Sequence, residues 1–199
     1  MNRWILIATS LLLTLTNCAP SASHAGTGPD EHASYTGIGL VGGAIHGDNR
    51  AVDGRSGAGI HISFGRRIHG RWFVDSYLGG YTIDTRETPD IYYPADGADV
   101  FQIDVVLLYY ILDEQRKWRP WAVAGPSYHY LGWESFAYSL SGLGLGLGGG
   151  CDIALFERVS LRIGLRINRF TAETDIHEAS SGTGHRQVQL HAGGIVLLR

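Results

Sequence analysis

The sequence is poor in cysteine and has no excess of positive charge, and each of these shortages excludes a class of protein. Only two cysteines occur in 199 residues, which is too few for a disulfide scaffold or a cysteine-rich zinc module. The formal net charge is −3, which argues against a surface that neutralises nucleic-acid phosphates. We therefore expect no nucleic-acid partner.

Long apolar runs are missing as well. Beyond the first segment, the run from Val105 to Leu112 has only eight residues, whereas a helix needs roughly 20 to cross a bilayer. Glycine is abundant instead, with 28 residues, and aromatic residues make up 11% of the chain. Glycine usage is about twice the average for soluble proteins. This composition is typical of a glycine-rich β protein.

The first segment is interpreted as a secretory signal peptide. Arg3 precedes a short apolar core, and the small side chains of Ser23 and Ala25 stand before a possible cleavage point. This predicts a signal peptide over residues 1–25 and one mature domain over residues 26–199. The stretch ending at Cys18 also resembles a bacterial lipobox, so lipidation of Cys18 is an open alternative.

Apolar and polar residues alternate with a period of two through the mature part, which is typical of β-strands. In residues 159–168 every odd position is Val, Leu or Ile, whereas Arg162 and Arg166 lie among the even positions. The pattern predicts eight strands, near residues 35–45, 57–66, 71–84, 99–112, 119–131, 138–154, 157–170 and 186–198.

The lengths of the strands and of their connections favour a membrane barrel. Most predicted strands have nine or more residues, and a tilted strand needs roughly 9–11 to span a bilayer. Short turns on one side and longer loops on the other are typical of outer-membrane barrels, although the connections at residues 113–118 and 132–137 are both of intermediate length. Aromatic residues near the strand ends predict two interfacial belts. These residues are Trp72, Trp118, Trp121 and Phe156 on the turn side, and Tyr81, Tyr130, Trp133, Tyr138 and Phe170 on the loop side.

The predicted fold class is all-β, an eight-stranded antiparallel up-and-down transmembrane β-barrel. In hydrocarbon every backbone polar group must be paired within the protein, which only helices and closed barrels achieve. A soluble lipocalin-like ligand carrier is the alternative, with its apolar face turned inward. The polar faces carry few charges, among them Asp104 and Arg162, so we expect those faces to be enclosed.

Two stretches carry a family likeness. Residues 119–128 contain a Pro-Trp pair followed by small residues and a tyrosine, and residues 146–163 combine glycine-rich sequence, a tight turn and a Ser-Leu-Arg run. They resemble the small outer-membrane β-barrel superfamily of the OmpA and OmpX type. The resemblance implies a bacterial outer-membrane protein, exported through the periplasm and inserted by the outer-membrane assembly machinery. Outer-membrane lipid and lipopolysaccharide would be its partners.

Charged residues on the inward faces predict a network that plugs the lumen. An isolated buried ion costs several kcal/mol, so such charges must pair, and the guanidinium fork suits carboxylates. A selectivity ring in a narrow pore is the alternative, but eight strands leave an interior barely wide enough for side chains. The predicted lumen network comprises Asp75, Asp104, Asp152, Arg162, Arg166, His61 and His191.

An enzymatic role is the weaker alternative. Ser127 and His129 share one strand face and Glu134 follows, which would suit a lipid A-modifying hydrolase. Residues two apart on a strand need not form a hydrogen bond, however, since their Cα atoms lie about 6.5 Å apart. We therefore expect a non-enzymatic protein.

No cofactor and no metal site are expected. The glycines of residues 37–42 and 144–149 have dinucleotide-binding spacing, but no helical pattern follows either stretch. Alternate glycines instead leave one strand face bare, so that bulky side chains from facing strands can fill a narrow barrel. No histidine or cysteine spacing supports a metal site.

The expected role is structural support of the envelope, or surface contact through the long loops. Tyr92 and Tyr93 form an exposed aromatic cluster in the second loop, and Trp133 begins the third. Aromatic residues are enriched in binding surfaces, so these three are the candidates for contact with a surface ligand.

Overall fold

The computed structural model describes residues 33–47, 54–84, 97–113, 116–132, 139–174 and 183–198. Every regular element in these ranges is a β-strand, and each of the eight predicted strands is present within a few residues of its predicted bounds. The strands are β1 (Ser34–Gly47), β2 (Arg55–His69), β3 (Trp72–Ile83), β4 (Ala98–Tyr110), β5 (Trp118–Gly132), β6 (Ser139–Ala154), β7 (Val159–Thr174) and β8 (Thr183–Leu198).

The strands close into a barrel in sequence order. Each strand pairs antiparallel with its neighbours in the chain, and β1 pairs with β8, where Val41 lies opposite His191. Closure removes the two sheet edges whose unpaired backbone groups would otherwise need partners. The prediction of an eight-stranded antiparallel up-and-down barrel is confirmed.

The apolar face of each strand points outward. Leu143, Leu40 and Leu145 expose 74%, 69% and 67% of their surface. The alternate positions of the strands point inward, and there polar residues such as Asp104 and Asp152 are buried. A lipocalin-like carrier would have the reverse arrangement, so this alternative is wrong.

The connections divide the barrel into a turn end and a loop end. Gly70, with a φ of 52°, allows the tight turn between β2 and β3, since this backbone region is costly for other residues. Residues 155–158 form a second short turn, closed by hydrogen bonds to the Val159 carbonyl. The third connection at this end, residues 111–117, is longer. At the opposite end the connections are residues 48–54, 84–97, 133–138 and 175–182, most of which lie outside the described residues.

Two apolar clusters occupy the ends of the interior, and polar side chains fill the space between them. At the loop end the cluster comprises Val41, Ile45, Tyr81, Ile83, Ala98, Val100, Leu131, Leu140, Phe170 and Ala172. At the turn end it comprises Tyr35, Phe73, Val106, Leu108, Tyr110, Trp121, Val123 and Ile195.

Three aromatic residues assigned to the interfacial belts lie inside the barrel. Trp121, Tyr81 and Phe170 are 2%, 5% and 2% exposed, so that part of the belt prediction is wrong. Side chains point alternately inward and outward at the ends of a strand as they do in its middle, and these three residues fall on the inward face. Inward glycines make room for them, because a Cβ on Gly164 would lie 2.5 Å from a ring carbon of Trp121. Trp72, Trp118 and Phe156 are exposed at the turn end, as expected.

The predicted signal peptide, residues 1–25, and Cys18 lie outside the described residues, and they stay predictions. Within the described ranges no helix is long and apolar enough to span a membrane. Both glycine stretches with dinucleotide-binding spacing lie inside strands, β1 and β6. Neither has the strand-to-helix context that a dinucleotide site requires.

Candidate functional site

The Asp152 carboxylate is the centre of the buried network near the turn end. It accepts two parallel hydrogen bonds from Arg162, from Nε at 2.8 Å and from Nη2 at 2.9 Å. It also accepts the Tyr110 hydroxyl at 2.5 Å and the Trp121 indole N–H at 2.9 Å. Four donors therefore compensate one carboxylate for the loss of water. Such charge-assisted bonds are the strong ones in a protein interior.

Arg162 reaches across the interior to other strands. Its Nη1 donates to the Tyr35 hydroxyl at 2.7 Å, and its guanidinium lies 4.4 Å from the centre of that ring. Its Nη2 also donates to the Tyr110 hydroxyl at 2.9 Å. The Arg162 side chain of β7 therefore forms hydrogen bonds to residues of β1, β4 and β6, and it links these strands through the interior of the barrel.

Arg166 forms the second half of the network, nearer the loop end. Its Nη1 donates to Asp104 at 2.9 Å and its Nη2 donates to Asp75 at 3.0 Å, so one guanidinium bridges two carboxylates. The group also lies over the Tyr77 ring, 4.5 Å from its centre. Because Arg162 Nη1 is 3.8 Å from the same Asp75 oxygen, the two halves are continuous.

The network is charge-balanced. Among the buried residues that the structure describes, three are carboxylates and three are arginines, the third arginine being Arg119. Its Nη2 lies 3.9 Å from the Asp152 carboxylate, and its guanidinium lies over the Tyr110 ring. Balance matters because an unpaired ion in a low-dielectric interior costs several kcal/mol.

A cluster of amide side chains continues the network toward the loop end. Gln102 donates to both oxygens of Asp104, at 2.8 and 2.6 Å, and accepts from Gln189 at 2.5 Å. Gln187 accepts from Asn168 at 3.0 Å and donates to the Tyr81 hydroxyl. These hydrogen-bonded side chains therefore extend the network as far as Tyr81, a member of the apolar cluster at the loop end.

His61 and His191 lie inside the barrel beside the arginines, where they pack against aromatic rings. The His61 ring stacks on Tyr77 with centroids 5.0 Å apart, and His191 stacks on Trp121 at 5.8 Å. The two imidazoles contact each other edge to face at 5.5 Å. They therefore pack among aromatic rings of the interior, and neither forms an ion pair with the carboxylates of the network. In the described ranges no group of three or more potential ligands is placed to hold a metal ion.

Ser127 and His129 lie closer together than strand spacing alone suggested. His129 Nε2 and Ser127 Oγ are 3.1 Å apart, within hydrogen-bond distance. Both residues point into the interior, with 2% and 0% exposure, and the imidazole stacks on Phe170 with centroids 4.1 Å apart. The pair faces away from lipid, so an acyl chain in the membrane has no access to the hydroxyl. Glu134, the third member of the hypothetical triad, lies outside the described residues.

Solved structures with the same fold are small outer-membrane barrels. Neisserial surface protein A matches with a TM-score of 0.62 and 18% identity, over 82% of this chain and 97% of that one. OprG from Pseudomonas aeruginosa matches with a TM-score of 0.55 and 13% identity, over 84% and 96%. For Ail, the attachment invasion locus protein of Yersinia pestis, these values are 0.50, 13%, 83% and 99%. The chain has the fold of the small outer-membrane β-barrels.

An outer-membrane barrel accounts for the apolar exterior. Exposed leucine, isoleucine and valine side chains on adjacent strands would be unfavourable in water and are favourable in hydrocarbon. The apolar exterior and the fold together assign the protein to the bacterial outer membrane. No family model matches the sequence, and no curated protein matches it.

The three loop candidates for ligand contact, Tyr92, Tyr93 and Trp133, lie outside the described residues of this outer-membrane barrel. Their role in binding stays a prediction. Tyr92 and Tyr93 lie in the connection from β3 to β4, and Trp133 lies in the connection from β5 to β6. Both connections belong to the loop end, opposite the tight turns.

Sequence reasoning missed several members of the lumen network. Tyr35, Tyr110, Trp121 and Arg119 all contact its charged groups, and the amide cluster extends it. Strand parity could have found them, since each lies on the inward face of its strand. Charge on the inward faces drew attention to five ionised residues, but this reasoning passed over the neutral donors and also over Arg119.

Proposed function

We propose that the protein is a closed, non-enzymatic barrel that supports the outer membrane mechanically and holds its loops at the surface. The observation that carries this proposal is the filled interior. Arg162, Arg166, Asp75, Asp104 and Asp152 are each 3% exposed or less. A protein whose interior is occupied by its own paired charges is suited to a scaffold rather than a channel.

Apolar layers above and below the network support the same proposal. The clusters around Leu140 at the loop end and around Leu108 at the turn end are both buried. An ion crossing the barrel would have to pass both layers and displace strong ion pairs. Ail, the attachment invasion locus protein, shares the fold, which supports surface contact as the second part of the role.

The closed-lumen proposal predicts that the refolded protein carries no resolvable ion current in a planar lipid bilayer. Network side chains occupy the path, and their displacement would require breaking buried charge pairs. A variant with Arg166 and Asp104 both replaced by alanine serves as a comparison, since it removes a central ion pair without leaving a net charge. Discrete conductance steps in the unsubstituted protein would overturn the closed-lumen proposal in favour of a narrow pore.

The non-enzymatic part of the proposal predicts that purified protein releases no fatty acid from lipopolysaccharide, as measured by mass spectrometry of the lipid. The reason is geometric, because Ser127 Oγ is buried in the interior and turned away from acyl chains. A Ser127→Ala variant is the control. Fatty acid released by the unsubstituted protein and lost in this variant would establish a lipid A-modifying hydrolase instead.

A further inference from the structure

Three basic side chains form a row on the outside of the barrel at its loop end. The strand register places Arg169 of β7 opposite Arg186 of β8, and Arg186 opposite His46 of β1. All three residues are exposed, and together with His185 and Val188 they line a surface pocket of about 450 Å³. We refer to His46, Arg169 and Arg186 as the basic row.

The basic row lies at the boundary of the apolar exterior. The next outward positions toward the barrel middle are Ile167, Val188 and Ala44, which lie opposite one another on the same three strands. Further along the same faces, Leu165 and Leu190 are 45% and 61% exposed. The basic row is therefore at the level where lipid headgroups meet acyl chains, on the loop side of the membrane.

The arrangement of the two arginines favours a bound anion. Like charges directly opposite each other in a sheet are destabilising. Among the residues that the structure describes, no carboxylate lies within ion-pair distance of Arg169 or Arg186. A phosphate between the two side chains would remove the repulsion, and guanidinium groups bind phosphate through paired hydrogen bonds.

We propose that the basic row binds the phosphate of a lipid headgroup in the loop-side leaflet, while the acyl chains of that lipid pack on Ile167, Val188 and Leu190. A phosphate alone would contact only the basic row. A phosphorylated lipid would contact both the basic row and the apolar residues beside it. Lipid A, the phosphorylated anchor of lipopolysaccharide, has this chemistry. The proposal depends on the outer-membrane location and not on the closed lumen, so the two can fail separately.

Lipid binding is measured by native mass spectrometry of the detergent-solubilised barrel, titrated with bisphosphorylated lipid A. The double variant Arg169→Gln/Arg186→Gln is expected to bind at least about tenfold more weakly, because two charge-assisted contacts are lost. The unsubstituted protein is expected to bind dephosphorylated lipid A as weakly as the double variant binds bisphosphorylated lipid A. Heat-modifiable gel migration, unchanged in the variant, verifies that the barrel is folded.

Arg66→Gln is the matched control. Arg66 is an exposed arginine on the outside of β2 at the turn end, opposite Val74. Its replacement is expected to leave lipid A affinity unchanged. An equal loss in both variants, or no loss in the double variant, would overturn the proposal. Inorganic phosphate is titrated in parallel, and binding as tight as that of lipid A would show a site for the free ion and overturn the assignment to a lipid.

Discussion

Replacement of Arg166 by leucine is expected to lower the free energy of unfolding by about 3–5 kcal/mol, the usual cost of removing one partner from a buried ion pair. The loss is large because Arg166 bridges two carboxylates, Asp104 at 2.9 Å and Asp75 at 3.0 Å. Without the guanidinium both carboxylates stay buried without their principal cation. Urea unfolding in lipid vesicles, followed by tryptophan fluorescence and gel migration, measures the change.

The control for this prediction is an arginine whose ion pair is exposed. Arg71 lies 2.7 Å from Asp113, with side-chain exposures of 43% and 71%. Exposed pairs contribute at most about 1 kcal/mol, so Arg71→Leu is expected to have a small effect. Equal effects of Arg71→Leu and Arg166→Leu would contradict a stabilising role of the lumen network.

A combined variant separates electrostatics from packing. Replacing Arg166 by leucine together with Asp104→Asn removes one cation and one carboxylate, and it leaves two carboxylates and two arginines buried in the interior. If buried unpaired charge causes the loss, this double variant is expected to be more stable than Arg166→Leu alone. A double variant that is no more stable than Arg166→Leu would attribute the loss to packing. It also keeps the test informative where the single variant does not refold.

Replacement of Leu147 by arginine is expected to lower the free energy of unfolding in lipid by about 2–4 kcal/mol, the cost of a basic residue on the lipid face at the bilayer midplane. Leu147 lies near the middle of β6, is 64% exposed and has Ala124 and Ile167 as its cross-strand neighbours. The substituted side chain would be exposed to hydrocarbon and has no carboxylate among these neighbours. The same urea titration measures the effect.

Ser141→Arg provides the matched control on the same strand face. Ser141 lies opposite Tyr130 near the loop end of β6, where a basic residue can reach the headgroup layer. The expected cost there is about 0–1 kcal/mol, since the penalty decreases toward the membrane surface. If Leu147→Arg and Ser141→Arg lowered the free energy of unfolding equally, the leucine face would not be in contact with hydrocarbon.

The strands and their orientation follow from a single periodic signal. In β7 the odd positions from Val159 to Ile167 are apolar and the even positions include Arg162 and Arg166. One choice, which face meets lipid, then determines the direction of every side chain. The paucity of charge on the polar faces settled that choice, and the exposed leucines of the structure confirm it.

The partners of each inward side chain could not be obtained in the same way. Alternation assigns Tyr35, Asp152 and Arg162 to the interior, but it does not say which strands face one another across it. Tyr35 and Arg162 are 127 positions apart in sequence and meet only because β1 closes onto β8. Likewise, Trp121 could enter the interior only because Gly150 and Gly164 leave space on the next two strands, β6 and β7.

By itself the sequence determined the number of strands, the outward direction of the apolar faces and the enclosure of the charged ones, because these are local consequences of a two-residue period. Only the tertiary structure decided that two arginines bridge three carboxylates. It also decided that Arg169 and Arg186 share one row. The physical reason is that such contacts depend on barrel closure and on the relative displacement of neighbouring strands, which no single strand encodes.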